Sequence, residues 1–180
     1  INNDLGGTYY LGASLNANEV ELENGANSYI NGRFTGKLFG SKDGKNYAIY
    51  NLKKPLFDTL SASTVENLVL KDVNISGKTD IGALGNEANN ATRINNVHVD
   101  GVLAGERGIG GLVWKADNSK ISNSSFKGRI VNSYETKAPY NIGGLVGQLT
   151  GINAVVDKSK ATITISSNAD STNQTVGGLA

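Results

Sequence analysis

A short apolar-glycine motif recurs four times in the second half of this chain, and that repetition limits the fold more than any other feature. The copies are Ile81-Gly82-Ala83-Leu84, Ile109-Gly110-Gly111-Leu112, Ile142-Gly143-Gly144-Leu145 and Val176-Gly177-Gly178-Leu179, with leucines 28, 33 and 34 residues apart. A second, asparagine-bearing element interleaves with the first. It reads Val65-Glu66-Asn67-Leu68-Val69-Leu70, Ile94-Asn95-Asn96-Val97-His98-Val99 and Ile121-Ser122-Asn123-Ser124-Ser125-Phe126, with a degenerate Val156-Asp157-Lys158-Ser159-Lys160-Ala161. Self-similarity at a period of about 20 to 50 residues marks a solenoid, a propeller or another array.

Each unit combines a β-branched/Gly/Leu strand, a polar turn, an alternating apolar strand and a third short strand such as Val73-Asn74-Ile75 or Val102-Leu103-Ala104. Gly77, Gly101 and Gly128 are expected to end these strands, where a tight corner suits glycine best. No segment carries a sustained i, i+3, i+4, i+7 apolar pattern, so helix is excluded as a main element. A propeller blade takes about 40 to 50 residues, whereas one coil of a parallel β-helix fits a shorter and more variable unit. The expectation is therefore all-β: a parallel β-helix of glycine-rich coils of about 30 residues.

Stacked coils would place Asn67, Asn96 and Asn123 above one another. Their amides could then form a ladder along the axis, or each asparagine could simply serve a corner that needs left-handed φ. Residues 56–180 carry the regular repeats, opening at Leu56-Phe57 after Pro55. Residues 1–55 are less regular and are expected to be divergent coils or a cap, within one domain. The lack of Met, even at position 1, and the halt at Val176-Gly177-Gly178-Leu179-Ala180 suggest a segment of a longer chain. Its terminal coil is expected to be the least protected.

Seventeen basic and 16 acidic residues give a net charge of +1, without the concentrated basic face that a nucleic-acid partner needs. No apolar run approaches the roughly 20 residues of a membrane span. With no Cys there is no disulfide framework and no thiolate metal site.

Nor is a catalytic motif complete. His98 is the only histidine, whereas a HExxH zinc site needs two, and its alternation with Val97 and Val99 points it outward on a strand. Gly-x-Ser-x-Gly is absent, and the 16 acids read as solvated charge. Gly108-Ile109-Gly110 meets Val113 where the dinucleotide fingerprint needs its third glycine. Gly40-Ser41-Lys42-Asp43-Gly44-Lys45-Asn46 falls one residue short of a P-loop. Calcium binding has neither an EF-hand loop nor a glycine-aspartate array. Trp114 stands where the next repeat has Gly147, either as an outward anchor or, the favoured reading, packed beneath a loop. Asn74, Asn90, Asn123 and Asn173 begin Asn-x-Ser/Thr sequons, as expected by chance in so Asn-rich a chain. The expected catalytic, cofactor and metal residues are therefore none.

The Ile-Gly-Gly-Leu-Val-Gly element at 142–147 resembles the GLUG motif of bacterial surface proteins. The order Phe34-Thr35-Gly36-Lys37-Leu38-Phe39-Gly40, Ile49-Tyr50-Asn51-Leu52, Pro55-Leu56-Phe57 and Val65-Glu66-Asn67-Leu68 is similar to the GLUG-bearing region of immunoglobulin A1 proteases and related zinc metallopeptidases of Gram-positive cocci. Ala83 and Trp114 depart from the glycine pattern. The resemblance implies a secreted, cell-surface or cell-wall parent whose zinc peptidase domain lies downstream. It also implies immunoglobulin A, or other domains of the parent, as partners. This segment would then be a non-catalytic scaffold or substrate-recognition region. The alternative is a carbohydrate- or host-binding adhesin β-helix.

Overall fold

The computed structural model describes residues 1–22, 24–133, 140–167 and 174–180. It is a parallel β-helix whose sheets run along the stack of coils. Among the described residues one sheet has ten strands, a second joins Ile81–Gly82, Gly108–Gly110, Tyr140–Gly143 and Gln174–Gly177, and a third has five strands from Ile30–Phe34 to Val146–Thr150. Among the described residues the one antiparallel pair is the hairpin of Ser41–Lys42 with Lys45–Asn46.

The registers explain the repeat. Ile81, Ile109, Ile142 and Val176 lie in one column, each paired with the next. Leu38, Val65, Ile94, Ile121 and Val156 form another, and Ile49, Leu70, Val99, Phe126 and Ala161 a third. In the central coils these side chains point inward, and Val65, Ile94, Ile121, Leu70 and Phe126 have no exposed surface, whereas Val176 is 51% exposed. Burying an aliphatic or aromatic side chain fully is worth about 1.5–3 kcal/mol, so each column adds one such contribution per coil. Residues before 56 join the same sheets in parallel. Thr8–Tyr10 pairs with Lys37–Phe39, which pairs with Thr64–Glu66, and Leu15–Asn16 pairs with Ile49–Tyr50.

The structure departs from the sequence reading at the third strand of each unit. Val73-Asn74-Ile75 and Val102-Leu103-Ala104 are not separate strands but the ends of Thr64–Ser76 and Arg93–Gly105, each 13 residues long. Gly101 and Gly128 consequently sit inside strands. Their φ values are 143° and 155°, and a Cβ on Gly101 would strike the Val73 carbonyl, as one on Gly128 would strike that of Gly101. The glycines permit close stacking between coils rather than strand termination. A register shift between Val99 and Gly101 fits one extra residue, Asp72, whose N–H donates to Asp100 Oδ1 at 2.9 Å.

The variable period arises in the spacing between the long strand of one unit and the glycine-rich strand of the next. Glu106 and Arg107 alone separate Gly105 from the strand Gly108–Gly110, whereas the corresponding connection to Tyr140–Gly143 spans residues 133–139. The strands on either side stay in register despite the difference in spacing.

Burial falls off along the stack. Leu103 and Ile130 have no exposed surface, yet Ile165, in register with Ile130, is only partly buried. Local opening follows the density of buried contacts. Amides of Lys160–Ser167 are therefore expected to exchange faster than those of Arg93–Gly105 in the 180-residue chain. Hydrogen exchange read by mass spectrometry checks this, and equal protection in a monomeric sample would contradict it.

Candidate functional site

The asparagine column combines both sequence readings. Asn67, Asn96 and Asn123 have φ of 55°, 54° and 51°, the left-handed corner that asparagine tolerates best. Asn96 Nδ2 also donates to Asn67 Oδ1 at 2.8 Å, one rung of a ladder. The next rung is diverted, with Asn123 Nδ2 donating to Asn95 Oδ1 at 2.8 Å.

His98 accounts for the diversion. Its Nε2 lies 2.9 Å from Asn96 Oδ1 and its Nδ1 lies 2.8 Å from Ser125 Oγ. Because Asn96 Oδ1 can only accept, Nε2 donates to it, while Nδ1 pairs with the Ser125 hydroxyl. The imidazole is half-buried on the outward face, as its alternation with Val97 and Val99 implied, and both its nitrogens are engaged. No group of three His, Cys, Asp or Glu side chains converges among the described residues. A zinc ion needs three or four such donors, and the described residues bring no such set together.

The glycine-rich stretches have structural explanations. Residues 40–46 form the antiparallel hairpin, whose turn residues Asp43 and Gly44 have φ of 52° and 75°, the paired positive values of a type I′ turn. Gly108–Gly110 is a parallel strand against Asn141–Gly143. Trp114 is half-buried over Gly108, whose Cβ would collide with the indole, and beside Gly147. Its Nε1 is buried and makes no hydrogen bond among the described residues, a cost of about 1–3 kcal/mol that packing must offset. The indole thus packs rather than projects. Asn74, Asn90 and Asn123 are exposed, and Asn90 Nδ2 donates to Ser61 Oγ at 2.9 Å. Asn173 lies outside the described residues.

Two surface features escaped the sequence reading. A groove of about 610 Å³ is lined by Lys54, Asp58, Lys78, Asp80, Asn86 and Glu87, among others. Burial, and after it the nearby Glu87 carboxylate, raise the Asp80 pKa from its ordinary value, while Arg107 opposes the shift. These acids share no motif; only coil stacking, with Thr59 in register with Glu87, assembles them. Elsewhere Tyr10, 57% exposed, stacks on Phe39 at a centroid distance of 5.0 Å and an interplanar angle of 17°. These residues are 29 apart, and the coil register brings them side by side.

The chain's first 101 residues match the family described as the M26 IgA1-specific Metallo-endopeptidase N-terminal region, and residues 105–131 and 138–166 match the GLUG motif. It is 95% identical over its whole length to an Immunoglobulin A1 protease of Streptococcus sanguinis, of which it spans 10%. It is 43% identical over 169 residues to the Zinc metalloprotease ZmpC of a Streptococcus pneumoniae serotype 4 strain, covering 94% of this chain and 9% of that protein. A solved structure titled IgA1 Protease superposes on the full chain with a TM-score of 0.95 and 69% identity, and the chain covers 14% of it. The chain therefore spans about a tenth of the length of these curated relatives.

Proposed function

Since this chain belongs to the M26 IgA1-specific metallo-endopeptidase family, in its N-terminal region, we propose that it is a non-catalytic β-helical scaffold or substrate-recognition region of a secreted, cell-surface zinc metalloprotease that cleaves immunoglobulin A. The supporting observation is the whole-chain superposition on a solved structure named IgA1 Protease, of which the chain covers 14%. Zinc belongs on this reading to a catalytic domain downstream, and no residue of the present chain acts on the scissile bond. Residues 1–55 are the divergent first coils and 56–180 the GLUG-type coils of one solenoid. Its partners are immunoglobulin A itself or neighbouring domains of the same protein.

A solenoid of this kind supplies a rigid extended surface, since every coil is fixed by its neighbours. Such a surface can hold a large substrate in place while chemistry occurs elsewhere, contributing positioning rather than bond cleavage. The purified chain is expected to leave immunoglobulin A1 intact with or without added zinc, as followed by gel electrophoresis of the heavy chain. Cleavage by protein free of contaminating protease would overturn the non-catalytic assignment. The alternative of a carbohydrate-binding adhesin coil has one specific observation in its favour, the exposed Tyr10–Phe39 stack.

A further inference from the structure

Tyr10 and Phe39 are outward-facing partners in adjacent coils, at the ends of the paired strands Thr8–Tyr10 and Lys37–Phe39. Phe39 is half-buried and backs the Tyr10 ring, which remains 57% exposed. The Tyr10 hydroxyl makes no hydrogen bond among the described residues. Immediately after Phe39 the chain leaves the coil as the hairpin Ser41–Asn46. Between this hairpin and Tyr10 lies a cleft of about 270 Å³, lined by Tyr10, Ser41, Lys42, Asp43 and Gly44.

Lys42 and Asp43 are the charged residues of the cleft lining, and Lys45 stands outside it on the facing strand of the hairpin. Lys42 and Lys45 are exposed and directly opposite across the hairpin, a placement that is destabilising for like charges. Neither ammonium forms an ion pair among the described residues. Lys37, also exposed, shares the outward face of the strand that carries Phe39. An aromatic platform beside unpaired lysines suits a ligand with one flat apolar face and a negative substituent.

A pyranose ring has that form. Its axial C–H groups make a weakly apolar face that stacks on an aromatic ring, while its hydroxyls bond to groups at its edge. The cleft lies just below the roughly 300–1,000 Å³ of drug-sized sites, a scale that suits a single sugar ring. An aliphatic peptide side chain would find one aromatic surface and no enclosing apolar walls. A free inorganic anion would make no use of the ring. We propose that the cleft between Tyr10 and the Ser41–Asn46 hairpin binds a saccharide whose pyranose carries a carboxylate or sulfate group. The sugar ring rests on Tyr10, Ser41 and Asp43 take its hydroxyls, and Lys42 balances its charge, with Lys45 adding to the positive potential from across the hairpin. This site does not depend on the scaffold reading given above, and its failure would leave that reading intact.

The test is an NMR titration of the amide-labelled chain with sialyllactose, with a sulfated disaccharide, with lactose and with inorganic phosphate. At least one of the two anionic saccharides is expected to bind in the millimolar range and shift the amides of Tyr10 and residues 41–45. The arm that binds identifies carboxylate or sulfate as the group recognised. Lactose is expected to bind at least about tenfold more weakly, a difference of ~1.4 kcal/mol. The double substitution Lys42→Gln/Lys45→Gln lies on the exposed hairpin and leaves the apolar columns untouched. It should reduce anionic binding to the lactose level, and Tyr10→Ala should abolish it. No binding by either anionic saccharide would overturn the proposal. So would equal affinity for lactose, equal shifts with phosphate, or undiminished binding by the lysine variant with a native amide spectrum.

Discussion

Gly110→Ala is expected to lower the unfolding free energy by about 3 kcal/mol or more, at the upper end of what overpacking costs. The reason lies in the corner that opens each glycine-rich turn. A Cβ on Gly110 would collide with the Val113 carbonyl oxygen and approach Gly147 N. Both are backbone atoms held by inter-coil hydrogen bonding, so neither can rotate aside. Gly82 meets the Gly85 carbonyl in the same way, Gly143 that of Val146, and Gly177 that of Ala180. The first glycine is thus demanded by the turn itself, and all four copies retain it. Gly12→Ala is the control, because a Cβ there would meet nothing within 4 Å and should change stability by about 0.5 kcal/mol or less. Urea denaturation of the two variants decides the matter. A Gly110→Ala midpoint as high as that of Gly12→Ala would show that the corner can relax.

The same geometry explains what was legible in the sequence. Inward residues recur once per coil, so the Ile81, Ile109, Ile142 and Val176 column could be read directly from spacing, and the structure pairs each with the next. The boundary between the second and third strands could not. Glycine at 101 and 128 normally signals an end, yet here it answers a carbonyl in the adjacent coil, a three-dimensional constraint that leaves no local mark. The asparagine ladder was legible in position and incomplete in chemistry. One rung forms, while the claim of His98 on Asn96 Oδ1 depends on a side chain two residues away. The Tyr10–Phe39 stack and the acid-lined groove were invisible, since each joins residues from different coils whose separation matches no known motif.

The second large effect is expected at Phe126, which fills the core column between Val99 and Ala161 and has no exposed surface. Phe126→Ala should cost about 3–5 kcal/mol, the usual range for truncating a fully buried phenylalanine. Its partner within the coil is Gly111, where an added Cβ would strike the Gly144 carbonyl oxygen and both Cβ and Cγ of the Phe126 side chain. One coil earlier the equivalent pair is Ala83 with Val99, both inside the core. Although Gly144 faces Ala161 in the next coil, in these two coils the smaller column residue accompanies the larger turn residue. That exchange makes the two positions energetically coupled. Gly111→Ala alone should be strongly destabilising, whereas Gly111→Ala with Phe126→Val recreates the pairing of Ala83 with Val99. The double variant is expected to be more stable than the sum of the single effects by about 1 kcal/mol or more, within the range for residues in contact. The rescue should stay partial, because a Cβ at 111 also approaches the Gly144 carbonyl of the next coil. Denaturation of the wild type, both single variants and the double variant closes the cycle. If the effects add to within about 0.5 kcal/mol, as they do for independent sites, the second glycine is set by stacking between coils and not by the size of the residue it faces.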